Sequence, residues 1–417
     1  MNYEIKSSRR CGQVTVPSSK SYAHRALICA ALTEGKNTIL CEGLPDDISA
    51  TVDCLNALGA KTVFGNNRIT AGCIQPLTDT VRYTDCGESG STLRFLLPVA
   101  AAIGGETVFN MRGRLPGRPV YGLVNALEQN GVSIEKNGSL LKCSGRLRPG
   151  SYTVPGDVSS QFISGLLFAL PLLPGDSEIN ITGSTESLDY IKMTEEMIKL
   201  SGIKFEKKNN GYLIYGNQSY RAPECYKVER DWSGASFFLC MGALSEKGIT
   251  VRDLNISSVQ GDRRITDILR AFGAKVEVTG NDINVSKGQL NACTVDARNV
   301  PDLVPVIAAL AAGANGITEI TNASRLRFKE SDRLSAVSEM LNGVGAQAIE
   351  KDDGLLIYGK PVINGGTVNS YGDHRIAMAA ALLSFFSKGK IEILNADCTA
   401  KSFPGFWEEF ESLEAEV

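Results

Sequence analysis

Five glycines constrain this chain more than any other feature. Gly59, Gly131, Gly202, Gly273 and Gly345 follow one another at intervals of 72, 71, 71 and 72 residues, and each closes an apolar helical pattern that runs on into strand, turn and strand. The copies read LNALGAKTVFGNNRITAG from Leu55, VNALEQNGVSIEKNGSLLKCSG from Val124, EEMIKLSGIKFEKKNNGYLIYG from Glu195, TDILRAFGAKVEVTGNDINVSKG from Thr266 and VSEMLNGVGAQAIEKDDGLLIYG from Val337. Self-similarity at a fixed period signals a repeated supersecondary unit. Each glycine suits the left-handed position that ends a helix, and the Asn, Gly and Asp pairs suit hairpin turns. Between the copies, an Ala/Leu-rich helix, a glycine and a β-branched strand recur near Gly35, Gly105, Gly175, Gly248, Gly316 and Gly389. Each unit of about 70 residues therefore reads helix, strand, helix, strand, strand.

The sixth unit runs out of chain after Phe406 to Leu413, where its hairpin should begin, whereas residues 2 to 16 form two strands with no unit of their own. The N-terminal strands are expected to complete the sixth unit. Residues 18–226 then make one domain of units one to three, and residues 1–17 with 227–417 make a second domain of units four to six. The fold class is α/β, built of α+β repeats, with crossings at Pro17–Ser18 and near Pro223 to Asp231.

Composition excludes several functions. With 43 Lys plus Arg against 46 Asp plus Glu, the net charge is −3 and no basic block is present, so neither a long nucleic acid nor an anionic membrane is an expected partner. Phe162 to Pro174 is the longest apolar run and is too short to span a bilayer. The N-terminal MNYEIKSSRR lacks an apolar signal core, which predicts a cytoplasmic protein. Eleven cysteines without a C-x-x-C pair predict reduced, mostly buried thiols, and two histidines without H-E-x-x-H give no metal site. Gly343-Val344-Gly345-Ala346-Gln347-Ala348 fits G-x-G-x-x-A, but it follows a helix and precedes a strand, the reverse of a dinucleotide site. No unclaimed apolar helix or coiled-coil repeat asks for a second copy, so a monomer is expected.

Cations cluster where helices begin, the place where free N–H groups and the helix dipole favour an anion. Lys20, Ser21 and Arg25 open one helix, with Ser21 and Arg25 on one face. Gly90-Ser91-Thr92-Leu93-Arg94 opens another, its Gly permitting close approach to the backbone, and Arg118 precedes a third. Ser159 and Ser160 are candidate caps or ligand groups, with Gln161 beside them. In the C-terminal half, the spacing puts Lys329, Glu330 and Arg333 on one helical face, Asp302 precedes an apolar helix, Asp373-His374-Arg375 begins an Ala-rich one, and Lys401 stands just before the last. Such clustering in a near-neutral chain implies a small, highly anionic ligand. Arg suits planar carboxylate and phosphate groups, and Lys can donate a proton when desolvated.

The strings KSYAHRAL, SGSTLR, LPGRP, DVSSQF, KESDR, DHR and CTAKSFP, in this order over the whole chain, resemble the 5-enolpyruvylshikimate-3-phosphate synthase family of enolpyruvyl transferases. The resemblance implies two domains, each of three βαβαββ units around a pseudo-threefold axis, with the active site in the cleft between them. It implies that shikimate 3-phosphate is held by Lys20, Ser21, Arg25, Ser159, Ser160, Gln161, Ser187, Tyr190, Asp302 and Lys329. It likewise implies that phosphoenolpyruvate is held by Lys20, Gly90, Arg118, Gln161, Arg333, Arg375 and Lys401. Asp302 would accept a proton, and Glu330 with Lys20 or Lys401 would transfer protons. The implied reaction has no redox or metal step and needs no cofactor. The chain departs from the family pattern at Glu88 (usually Asn), Ser91 (usually Thr), Phe95 (often Pro) and Arg325 (Asn in some members), positions that bear on the phosphoenolpyruvate pocket and on sensitivity to the inhibitor glyphosate.

Two other readings compete. The sister transferase acting on UDP-N-acetylglucosamine shares the repeat fold, but its Lys-Asn pair and loop cysteine are replaced here by Lys20-Ser21 and the cysteine-free RLPGR stretch. An RNA-end-modifying protein of related fold would need a basic face interleaved with aromatics, and aromatics are 7% of the chain.

Overall fold

All five repeat glycines take the left-handed backbone expected of them, with φ of +104° at Gly59, +105° at Gly131, +80° at Gly202, +93° at Gly273 and +84° at Gly345. A computed structural model of the protein describes residues 1–75 and 80–416. Two-residue turns follow the glycines: Asn66 and Asn67, both at positive φ, join Val63–Gly65 to Arg68–Gly72, and Gly280 begins the turn between Lys275–Thr279 and Asp282–Ser286. The chain divides into two compact units, Lys20–Val228 and Met1–Ser19 with Glu229–Val417.

The unit Lys20–Val228 contains three four-stranded sheets among its described residues. In each, a parallel pair is extended by an antiparallel hairpin. One runs Arg82–Asp85, Gly105–Asn110, Leu140–Gly145, Val132–Asn137, and another Ser151–Pro155, Ser177–Thr182, Gly211–Ile214, Phe205–Lys208. In the third, Cys225–Lys227 returns from the far end of the unit to lie parallel to Lys36–Leu40, which pairs with the hairpin strand Arg68–Gly72.

The other unit repeats this plan with one revision. Tyr3–Ile5 pairs with Ile391–Leu394 and so joins the sixth sheet, but Arg10–Val14 lies parallel to Ile249–Val251 in the sheet of the fourth unit. Only the first N-terminal strand therefore completes the sixth unit. The second supplies the parallel strand that the fourth unit lacks, as Cys225–Lys227 does for the first. Glu414–Ala415 then pairs with Arg10–Val14.

Three helices at the centre of each unit are buried almost all round: Lys20–Ala31, Gly90–Ile103 and Ser160–Ala169 in one, Trp232–Gly242, Val304–Ala311 and His374–Leu383 in the other. Their Ala, Leu and Phe content explains this, since a helix apolar on every side is stable only inside. A Cβ at Gly165 would lie 2.2 Å from the Arg94 carbonyl oxygen, so the helices Gly90–Ile103 and Ser160–Ala169 can meet this closely only at a glycine. Lys20, Ser21, Arg25, Gly90, Ser159, Ser160, Gln161, Asp302 and Arg375 stand at or near the N-termini of these helices, and the other candidates at the starts of neighbouring ones or in the turns before them. Among the described residues, no helix is long and apolar enough to cross a membrane, no cluster of His, Cys, Asp or Glu could hold a metal ion, and the cysteines are free thiols.

The glycines give a paired prediction. At Gly273 a Cβ would sit 2.3 Å from the Gln289 carbonyl oxygen on top of the left-handed strain, whereas at Gly280 it would meet nothing within 4 Å. Gly273→Ala should cost about 2–3 kcal/mol and Gly280→Ala about 1 kcal/mol in urea unfolding. Equal losses would show that the contact with Gln289 carries no part of the cost.

Candidate active site

In the unit Glu229–Val417, the Arg333 guanidinium is 1% exposed and meets three carboxylates. Nη1 donates to Asp302 Oδ1 at 2.8 Å, Nη2 to Glu330 Oε2 at 2.6 Å and Nε to Asp373 Oδ2 at 2.8 Å. Asp373 also caps the helix His374–Leu383 by accepting from the Arg375 N–H at 3.0 Å, and Ser331 Oγ donates to it. Asp302 in turn faces Arg375 Nη2 at 3.2 Å and Lys329 Nζ at 3.6 Å. Arg375 Nη1 reaches the Asp302 carbonyl oxygen at 3.0 Å and Ser233 Oγ at 2.6 Å. Three cations and three carboxylates thus alternate. Lys401 closes the short 3-10 helix Ala396–Lys401, is buried, and opposes Asp373 in its action on the Cys398 thiol.

The helical-face reading of Lys329, Glu330 and Arg333 needs correction. The helix begins only at Arg333, because Asp332 caps it by accepting from the Ser335 N–H, and Lys329 and Glu330 belong to the turn before it. The turn still delivers Glu330 to Arg333.

Charge within the ring sets its protonation. Burial by itself would raise the Asp302 carboxyl, but Arg375, Lys329 and Arg333 outweigh it and hold Asp302 well below the usual carboxylate range. Burial lowers Lys329 to about 8, with Asp302 pulling it back upward. Arg333 is desolvated too, yet Asp373, Glu330 and Asp302 keep it firmly charged.

The unit Lys20–Val228 holds three smaller groupings. In the first, Lys20 Nζ pairs with the buried carboxylate of Asp47 at 2.8 Å. Behind it, His24 Nδ1 meets Thr51 Oγ1, Thr51 meets Thr92, and Thr92 donates to Ser89, each at 2.7 Å, so hydroxyls tie together the starts of three helices. Burial lowers the His24 imidazole to about 3 and keeps it neutral at physiological pH.

In the second grouping, Arg25 is buried and spends its nitrogens on the Ser21 carbonyl oxygen, the Tyr190 carbonyl oxygen and Thr194 Oγ1 at 2.7 to 2.8 Å. It fixes the main chain at Ser21 and Tyr190. Ser187 precedes the helix Leu188–Leu200 with φ of +54°, a left-handed conformation uncommon for serine and often found at functional positions.

In the third, Gln161 is held from both sides, donating to Ser91 Oγ at 2.9 Å and accepting from Arg94 Nη1 at 2.8 Å. Ser159 Oγ caps the helix of Ser160 and Gln161. A Cβ at Gly90 would lie 2.6 Å from Arg94 Nη1 and 3.0 Å from Arg118 Nη1, so both guanidinium groups crowd this helix start.

Asp47, Arg94, Ser233 and Asp373 hold these groupings together without having been among the expected site residues. Asp373 and Arg94 stand inside recognisable strings. The signal for Ser233 is the repeat itself, since Asp231 caps its helix as Ser159 does in the third unit, and Ser233 then falls at the place of Gln161.

A family model described as EPSP synthase (3-phosphoshikimate 1-carboxyvinyltransferase) matches residues 5–410. The chain belongs to the EPSP synthase family. Its relatives include a 3-phosphoshikimate 1-carboxyvinyltransferase of Clostridium kluyveri, 44% identical over 99% of this chain and 97% of that protein, and one of Clostridium beijerinckii, 42% identical over the same shares. Among solved structures, an EPSP synthase of Acinetobacter baumannii superimposes with a TM-score of 0.81 at 24% identity, covering 99% of this chain and 98% of that one. The enolpyruvyl transferase NikO of Streptomyces tendae superimposes with 0.80 at 16% identity, covering 100% and 97%. At such identities these two neighbours establish the fold, which is the two-domain α/β architecture of the EPSP synthase family.

Removing Arg333 from this member of the EPSP synthase family would leave Asp302, Glu330 and Asp373 without their shared cation. Arg333→Met should cost about 3–5 kcal/mol. Adding Asp373→Asn to Arg333→Met should recover part of that loss in a double-mutant cycle followed by urea unfolding. Strict additivity would mean that the two side chains are not energetically coupled.

Proposed function

We propose that this chain transfers the enolpyruvyl group of phosphoenolpyruvate to the 5-hydroxyl of shikimate 3-phosphate, releasing inorganic phosphate on the route to chorismate and the aromatic amino acids. Membership of the EPSP synthase family over nearly the full chain carries this reading. The charge arrangement supports it. The reaction needs an acceptor for the hydroxyl proton, a proton donor to C3 of the enol, and cations for two phosphates and a carboxylate.

In this reading Asp302 takes the 5-hydroxyl proton as the oxygen attacks C2, and Glu330 with Lys20 or Lys401 delivers a proton to C3. The tetrahedral adduct then loses the C3 proton, and the C2–O bond to phosphate breaks. Lys20, Ser21, Arg25, Ser159, Ser160, Gln161, Ser187, Tyr190 and Lys329 hold or position shikimate 3-phosphate. Lys20, Gly90, Arg118, Gln161, Arg333, Arg375 and Lys401 serve phosphoenolpyruvate. With Arg375, Lys329 and Arg333 all turned on Asp302, the acceptor is a weak base. Anionic substrates that draw on the same cations lift its basicity when a base is needed.

The chain works as a monomer in the cytoplasm, without nucleic acid. The free thiols support a reducing compartment, and the net charge of −3 gives a polyanion no extended basic face.

Phosphate release from phosphoenolpyruvate should depend strictly on shikimate 3-phosphate and vanish in Lys20→Ala. Release driven by UDP-N-acetylglucosamine instead would overturn the assignment. Asp302→Ala should lower kcat by about 10²- to 10⁴-fold with a much smaller change in affinity for shikimate 3-phosphate. Equal losses in both would make Asp302 a binding residue only.

A further inference from the structure

One buried carboxylate beside the ring has no part in the mechanism so far. Asp262 lies in the 3-10 turn Gly261–Arg264 and is 4% exposed. Its carboxylate accepts from the Ser233 hydroxyl, and its Oδ1 has no hydrogen-bond partner. Ser233 Oγ in turn accepts from Arg375 Nη1 at 2.6 Å, and Arg375 faces Asp302 Oδ2 at 3.2 Å. A continuous relay through Ser233 therefore joins Asp262 to the guanidinium that faces Asp302.

We infer that Asp262 is a positioning residue that, through Ser233 and Arg375, offsets the charge of Arg375 at Asp302 and so sets the strength of Asp302 as a base. This rests on the reaction proposed above. Among the cations, Arg375 does most to hold Asp302 low, so whatever competes for Arg375 makes Asp302 more basic. A buried carboxylate with one oxygen unpartnered is costly when ionised. Burial, then the charge of Asp302, raises Asp262 to about 7 against the pull of Arg375. Asp302, Arg375 and Asp231 are the charged groups that act on it most strongly, and Arg264 stands in the same turn. Within its own turn, Arg263 is spent on the Ile256 carbonyl oxygen, and in the following helix Asp267 and Arg270 pair with each other.

The sign follows. Below pH 7 Asp262 carries a proton and leaves Arg375 to Asp302, and above pH 7 its charge draws on Arg375. Asp262→Asn should therefore match the native kcat near pH 5.5 and fall about tenfold behind it by pH 8.5, a factor equal to one pKa unit at Asp302. Asp262→Glu should restore the pH dependence. A deficit equal at every pH, the mark of a purely structural role, overturns the inference. A readout without turnover is the carboxyl ¹³C titration of Asp302, assigned by its loss in Asp302→Asn. In the native chain the Asp302 signal should show a second inflection near pH 7, where Asp262 ionises, and should lose it in Asp262→Asn, and in Ser233→Ala should the first variant not fold; an inflection absent from the native chain, or kept in the variants, overturns the inference. A native chain that releases no phosphate would end the reaction proposal, and the ¹³C titration would still decide whether Asp262 governs Asp302.

Discussion

A guanidinium as buried as that of Arg333 is tolerable only because three carboxylates meet it. Desolvating such an ion costs several kcal/mol, and only hydrogen bonds of good geometry to opposite charges offset that. Arg333 obtains them from Asp302, Glu330 and Asp373. These residues come from helix starts of the fifth and sixth repeats, and Ser233 links the ring to the start of the fourth. Asp332 and Asp373 cap two of the helices behind them, and the ion cluster ties those capped ends to one another, so a shift of any one helix would strand a buried charge.

The unit Lys20–Val228 solves the same problem with less charge. Lys20 has Asp47, and the remaining helix starts are joined by a file of hydroxyls from Thr51 through Thr92 to Ser89, ending on a neutral His24. Gln161, gripped by Ser91 and Arg94, takes the place of a third ion pair. Hydroxyl and amide networks are individually worth about 1 kcal/mol per bond. The same repeat thus supports a junction built on ion pairs in one unit and one built mostly on hydroxyl, amide and carbonyl partners in the other.

The division between what the sequence reveals and what it conceals follows sequence distance. A glycine that ends a helix acts on its own turn, so the period near 71 residues was legible and the left-handed φ values agree with it. Strand pairing across the whole chain was not. Arg10–Val14 joins Ile249–Val251 because the fourth unit has an empty parallel position, which no local pattern announces. Helical spacing misplaced Lys329 and Glu330 because Asp332, a better cap than either, starts the helix later. Asp47, Ser233 and Asp262 escaped because their partners lie 27 to 142 residues away or are reached through a second side chain. Aligning the repeats on one another would have recovered Ser233.

The departures from the family pattern acquire physical content here. Phe95 is buried between His24 and Phe168, with the Arg25 guanidinium 5.0 Å from its ring centroid, so it buttresses the arginine that fixes Ser21 and Tyr190. Glu88 fills the space beside Gly113, where any Cβ would collide with its carboxylate. Clustered cations in the sequence suggest bare positive charge awaiting an anion, yet Lys20, Lys329, Arg333 and Arg375 all face carboxylates. Stored in this way, the charge neither repels itself nor attracts unselected polyanions, in keeping with a net of −3. In the reaction proposed above, an anionic substrate would compete with a carboxylate for these four cations rather than fill an open positive site. Each cation so drawn from Asp302 would make it a stronger base.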